Sequence, residues 1–208
     1  MLFVSIILIP NVAYGELNDT KSDVIKPVVL DFKFRNEPII CLIGTDDKAI
    51  QEGINSVSDW MEKLKTYSKH PQNWNMTVLE SPQDLSNCNV EIHFLKKPTD
   101  ENIKQLKNQG ITIFQPSRAY VEIYTQQYYN DDAIKYVNDG SGKDRPVVGE
   151  YADVPIEYLG KVIKHEMGHV FGLEHQQSDS VMVTGYRVAH ITKQDCSNVF
   201  KKYGENWK

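Results

Sequence analysis

Residues 39–43, Ile39-Ile40-Cys41-Leu42-Ile43, form an unbroken apolar run rich in β-branched side chains and bounded by Pro38 and Gly44, which reads as a buried strand. The period then changes. Ile50, Ile54, Val57, Trp60, Met61 and Leu64 fall three or four apart and make one apolar helical face, with Asp46-Asp47 placed to cap it. Further strands are predicted at residues 74–79, at 89–95 with Val90, Ile92 and Phe94 on one face, and as a pair at 111–114 and 120–124 split by Gln115-Pro116-Ser117-Arg118. Residues 126–153 are rich in Asn, Asp, Gly and Ser without a period, and are predicted to be a long loop. A second helix is predicted from about residues 153–155, with Pro155 tolerated in its first turn and Leu159, Val162, Ile163, Met167 and Val170 facing the core. For the last helix, Thr192 and Asp195 have capping-box spacing, Cys196, Val199, Phe200 and Tyr203 form the buried face, and Gly204 suits the stop. Strand, helix, several strands, helix, helix is the order of an α+β domain with a mixed sheet.

Composition narrows the class. A chain of 208 residues, 40% hydrophobic and 25% charged, has material for one core and is neither a disordered chain nor a polytopic membrane protein. Its net charge of −5 argues against nucleic acid as a partner. Residues 1–15 carry no charge and hold an apolar run at 2–10, with small residues Ala13 and Gly15 at the −3 and −1 positions of a cleavage site. The expected division is a signal peptide at 1–15, a mostly polar leader or linker at 16–37 with a short alternating patch at 30–34, and the folded domain at 38–208. The alternative for the first segment is a buried N-terminal strand. No other stretch is long enough to span a bilayer, so a secreted, monomeric protein without stable membrane insertion is expected.

Export bears on the cysteines. Cys41, Cys88 and Cys196 include no CxxC pair, so a cysteine zinc knuckle is not expected; one disulfide and one free thiol are. Cys41 reads as a buried small hydrophobe, which tilts the open choice of pairing towards Cys88–Cys196. Asn18 and Asn75 begin N-x-[ST] sequons. The acids Asp131, Asp132, Asp139, Asp144, Glu150 and Asp153 are weighed as a calcium site against a solvated acidic loop, and the solvated loop is preferred.

The chemistry lies in residues 165–175, which fit H-E-x-x-H-x-x-G-x-x-H at every fixed position. His165 and His169 are four apart, so a helix points both imidazoles from one face at a single metal ion. Glu166 is turned about 100° from His165, off the ligand face but within reach of a water on the metal. Gly172 lets the chain leave the helix in a left-handed conformation, so that His175 can return as third ligand. Three imidazoles and one open position make a catalytic zinc arrangement, whereas a structural site is closed by four protein ligands. His70, His93 and His190 have no such spacing.

The extended motif, followed by Ser180-Val181-Met182, resembles the metzincin zinc peptidases, and within them most closely the matrixins. The resemblance implies a twisted mixed sheet with an N-terminal helix, an active-site helix and a C-terminal helix. It implies a methionine turn at Met182 beneath the metal, and an apolar substrate pocket walled by Tyr186 and Val183. The chain departs from the family in having Thr184 two after the methionine, where a proline is usual. No His occurs between His93 and His165, where the family carries its structural-zinc histidines. The function implied is a secreted zinc-dependent endopeptidase acting on protein or peptide substrates. One zinc is held by His165, His169 and His175, and Glu166 is the general base that returns its proton to the leaving amine. The substrate is expected to lie extended along an edge strand, taken as residues 119–124. The alternatives are a secreted zinc-binding protein without catalysis and a metal-dependent hydrolase of a non-peptide bond. Glu166 speaks against the first, and the tyrosine match against the second.

Overall fold

The computed structural model describes residues 33–98, 109–115, 118–129, 135–138, 144–147, 150–177, 179–185 and 188–207. The signal segment, Asn18, Asp131, Asp132, Asp139 and Tyr186 lie outside the described residues.

The apolar run is strand β1 (Ile39–Ile43), and Ile40, Cys41 and Leu42 have no exposed surface. A strand buried on both faces belongs inside a sheet. Accordingly β1 lies parallel to β2 (Thr77–Glu80) on one side and to β3 (Val90–Leu95) on the other. β3 in turn pairs in parallel with β5 (Arg118–Tyr124), and β4 (Gly110–Gln115) closes the sheet antiparallel to β5. The strand order is β2-β1-β3-β5-β4. The edge expected at residues 119–124 is therefore displaced by one strand. Ala119, Val121, Ile123 and Tyr124 are all fully buried, β5 has a neighbour on each side, and β4 is the border strand on this side among the described residues.

Helices cover one face of the sheet. α1 (Asp47–Tyr67) starts at Asp46, whose carboxylate accepts from the Lys48 and Ala49 amides. It packs along α2 (Ile156–Val170), and two polar contacts fix their register. The Trp60 indole N–H donates to the Lys164 carbonyl at 2.9 Å, and the Lys164 ammonium meets Asp59 at 2.5 Å. α3 (Lys193–Tyr203) carries both halves of the Thr192/Asp195 capping box and stops at Gly204, whose φ is +74°. Among the described residues, no helix is long and apolar enough to cross a membrane.

Three expectations change. The strand read at 74–79 is confined to Thr77–Glu80, because fully buried Trp74 turns inward, its ring 4.7 Å from that of Trp207 and 4.9 Å from that of Phe200. The loop read at 126–153 contains two antiparallel pairs, β6 (Gln126–Tyr129) with β9 (Glu150–Asp153) and β7 (Lys135–Asn138) with β8 (Asp144–Val147). Backbone pairing needs no apolar alternation, and in the first pair Tyr128 sits opposite Tyr151 with rings 5.3 Å apart. The disulfide joins Cys41 to Cys88, and Cys196 is the free, buried thiol. The pleat explains this choice. Ile40 and Leu42 face the helical core, so Cys41 between them points to the opposite face, while Cys196 lies in the core on the helical side. The sheet stands between Cys196 and the other two.

Phe34, in the segment read as a leader, is buried in the core, its ring 6.2 Å from that of Tyr203 and 5.8 Å from that of Trp207.

Candidate metal centre

The last turns of α2 bring His165 and His169 onto one buried face. The helix ends at Phe171, and Gly172 takes φ +80°, a conformation that costs a residue with a β-carbon about 1 kcal/mol or more. The amide of Leu173 returns to the Gly168 carbonyl at 2.9 Å, closing the turn. The chain then carries His175 back over the helix. The ligating atoms of the three histidines all lie within 4.8 Å of one another, and those of His165 and His175 are 3.2 Å apart. Ligand nitrogens about 2.0–2.1 Å from a tetrahedral zinc would be roughly 3.3 Å apart, which is the spacing of the His165–His175 pair, and three imidazoles are a donor set suited to that ion.

The outward nitrogens are committed elsewhere. Nδ1 of His165 is 2.9 Å from the Val181 carbonyl, and Nδ1 of His169 is 2.9 Å from the Leu173 carbonyl. A carbonyl only accepts, so each Nδ1 carries the proton and each Nε2 presents its lone pair to the cluster. Burial pushes the His165 and His169 imidazoles down to about 4 and lowers that of His175 as well. All three are thus neutral at physiological pH, which is the protonation state that a metal requires.

Glu166 leaves the helix in a different direction, as its place in the turn demands. Its carboxylate Oε2 accepts from the Thr112 hydroxyl of β4 at 2.7 Å, and both residues are buried. Gly110, two residues earlier on the same strand face, gives the Glu166 side chain room. A β-carbon there would stand 2.7 Å from Glu166 Cγ.

Met182 is fully buried below the helix, directly under Gly168, where an added β-carbon would come 2.1 Å from the methionine sulfur. Its turn is tied to α3. Asp195 accepts from the Ser180 hydroxyl at 2.5 Å and from the Val181 amide at 3.3 Å, besides its capping bonds to Thr192. Val183 is half-buried after the methionine and bridges to Gln176. Sequence reasoning named the three histidines, Glu166 and Met182, which the fold gathers around α2. It missed Thr112 and Gly110, which are far from the motif in sequence, and the second task of Asp195, for which only the capping box gave a signal.

A sequence model of the matrixin family matches residues 84–204. No curated protein sequence matches the chain. Among solved structures, the crystal structure of myroilysin is similar at 13% identity and a TM-score of 0.29; the match covers 84% of this chain and 65% of that one.

Proposed function

This chain belongs to the matrixin family, whose sequence model spans more than half of it, and from that premise we propose that it is a secreted zinc-dependent endopeptidase. The observation that carries the reading is the cluster of three neutral imidazoles beside a buried carboxylate that is not one of the ligands. His165, His169 and His175 would hold the zinc. Bound there, zinc would polarise the scissile carbonyl and acidify the attacking water.

The chain's own groups do the rest. Glu166 accepts the proton of the water at its carboxylate and delivers it to the leaving amine. The Val181 and Leu173 carbonyls keep the imidazoles turned so that Nε2 faces the metal. β4, the antiparallel border strand among the described residues, is the strand along which an extended peptide would lie, in place of residues 119–124. By the family resemblance, Val183 and Tyr186 are assigned to the pocket for the residue after the scissile bond, which would favour a large apolar side chain there. Residues 1–15 direct export, and the peptidase domain read at 38–208 takes in Phe34 as well, whose ring is part of its core. The Cys41–Cys88 disulfide supports export, since the cytosol keeps thiols reduced.

The test is hydrolysis of a peptide library by the purified protein, with and without a zinc chelator. Cleavage that stops with chelator and returns with zinc is the expected result. Glu166→Ala should lower turnover by about 10²–10⁴-fold with zinc retained, whereas His169→Ala should lose zinc and activity together. A wild-type protein that holds zinc but cleaves no peptide would overturn the reading.

A further inference from the structure

A glutamate on a helix has three side-chain torsions, and its carboxylate can sweep several ångströms if nothing holds it. Here something does. Thr112 has a single hydroxyl proton, which is donated to Glu166 Oε2 at 2.7 Å, and the 3.3 Å approach to the Glu166 backbone carbonyl is the weaker contact. Thr112 is itself stiff. Its β-branch restricts χ1, and β4 pairs with β5 at every residue from Gly110 to Gln115. Gly110 lies on the same strand face, and a β-carbon in its place would press on Glu166 Cγ at 2.7 Å and on Oε1 at 3.0 Å. The strand thus offers Glu166 an empty seat followed by an anchor.

We propose that Thr112 is a positioning residue that fixes the Glu166 carboxylate for proton transfer, an inference that rests on the general-base role assigned above. The consequence is specific to this strand. β4 is also the border strand assigned above to the peptide, so on that reading one element sets the place of both substrate backbone and base. The hydroxyl is committed to the Glu166 carboxylate, so its contribution is expected on turnover and not on binding.

The experiment compares wild type, Glu166→Ala, Thr112→Val, Thr112→Ala and Thr112→Ser as zinc-loaded proteins on one peptide substrate. Zinc content and thermal melting are measured for each, and crystal structures are determined for the Val and Ser variants. Misplacement of a catalytic group by about 1 Å can cost on the order of 10²-fold, so Val and Ala should lower kcat by roughly 10–100-fold. KM should stay within about twofold and zinc at one per chain, since uniform binding is untouched. Ser, which restores the hydroxyl, should recover most of kcat. The Glu166 carboxylate should be rotated away in the Val crystal and in place in the Ser crystal. Val and Ala variants that turn over like wild type, or a Ser variant as impaired as Val, would overturn the positioning role while leaving the endopeptidase reading intact. If wild type cleaves no peptide, that reading fails first and takes this one with it.

Discussion

Single residues around the metal centre are constrained by contacts that leave little room. Gly168→Ala sets two effects against each other. A mid-helix alanine gains about 1 kcal/mol over glycine, but its β-carbon would lie 2.1 Å from the sulfur of fully buried Met182. Overpacking costs about 1–3 kcal/mol, so a net loss of stability is expected. Thermal melting checks it, and adding Met182→Ala, which vacates the space, should make the glycine substitution harmless. The imidazoles give a pH dependence. His165 and His169 are held down at about 4 in the folded protein by burial, against 6.5 when unfolded. Between those values the unfolded chain binds more protons. The stability of the metal-free protein should thus be full above about pH 6.5 and fall as pH drops towards 4. Denaturant midpoints of metal-free protein at pH 7.5, 6 and 5 would show the decline; equal midpoints would refute it.

Between elements, the start of α3 is wired to α2. Asp195 caps its own helix and holds Ser180 and the Val181 amide, and the Val181 carbonyl in turn receives the His165 Nδ1 proton. Asp195→Ala removes the reciprocal half of the capping box and strands buried donors worth about 1–3 kcal/mol each. It should also loosen the seat of His165, and loss of such outer partners typically costs about 10–100-fold in metal affinity. Thr192→Ala removes only the cap side chain. The expected outcome is a lower melting temperature in both variants and weaker zinc binding in Asp195→Ala alone, read by competition with a chromophoric chelator. Equal zinc affinity in the two variants would break the proposed link.

For the molecule as a whole, the disulfide ties β1 to Cys88, two residues before β3, across a sequence separation of 47. In the chain-entropy view, closing a loop of that length contributes about 4 kcal/mol. Cys41→Ser with Cys88→Ser should therefore lower the melting temperature by roughly 10 °C, without moving the metal centre, because the bond lies on the sheet face away from α2. Calorimetry of the double variant, with zinc content measured alongside, tests both halves. The free thiol of Cys196 should stay unreactive in the folded protein, as burial pushes it up to about 12.

The elements legible in the sequence are those decided by neighbours along the chain. The β1 run, the apolar faces of α1 and α2, the capping box of α3 and the helix-plus-turn spacing of His165, His169 and His175 all follow from periods of two or 3.6 and from local hydrogen bonds. Glu166 was legible for the same reason, since its angle from the ligand face is fixed by one residue of helix. What the sequence could not settle depends on which distant segments meet. The pairing of Cys41 with Cys88 required knowing that β1 and β3 are neighbours and that the sheet screens Cys196. The edge position of β4 required the full strand order, because an apolar run looks alike on a border and beside one. The pairing within residues 126–153 rests on backbone groups that carry no side-chain signature. Thr112 and Glu166 are 54 residues apart, and only the packing of α2 across β4 brings that hydroxyl to that carboxylate. The histidine cluster is local and therefore readable; its support is made of long-range contacts, whose geometry exists only once the chain has closed on itself.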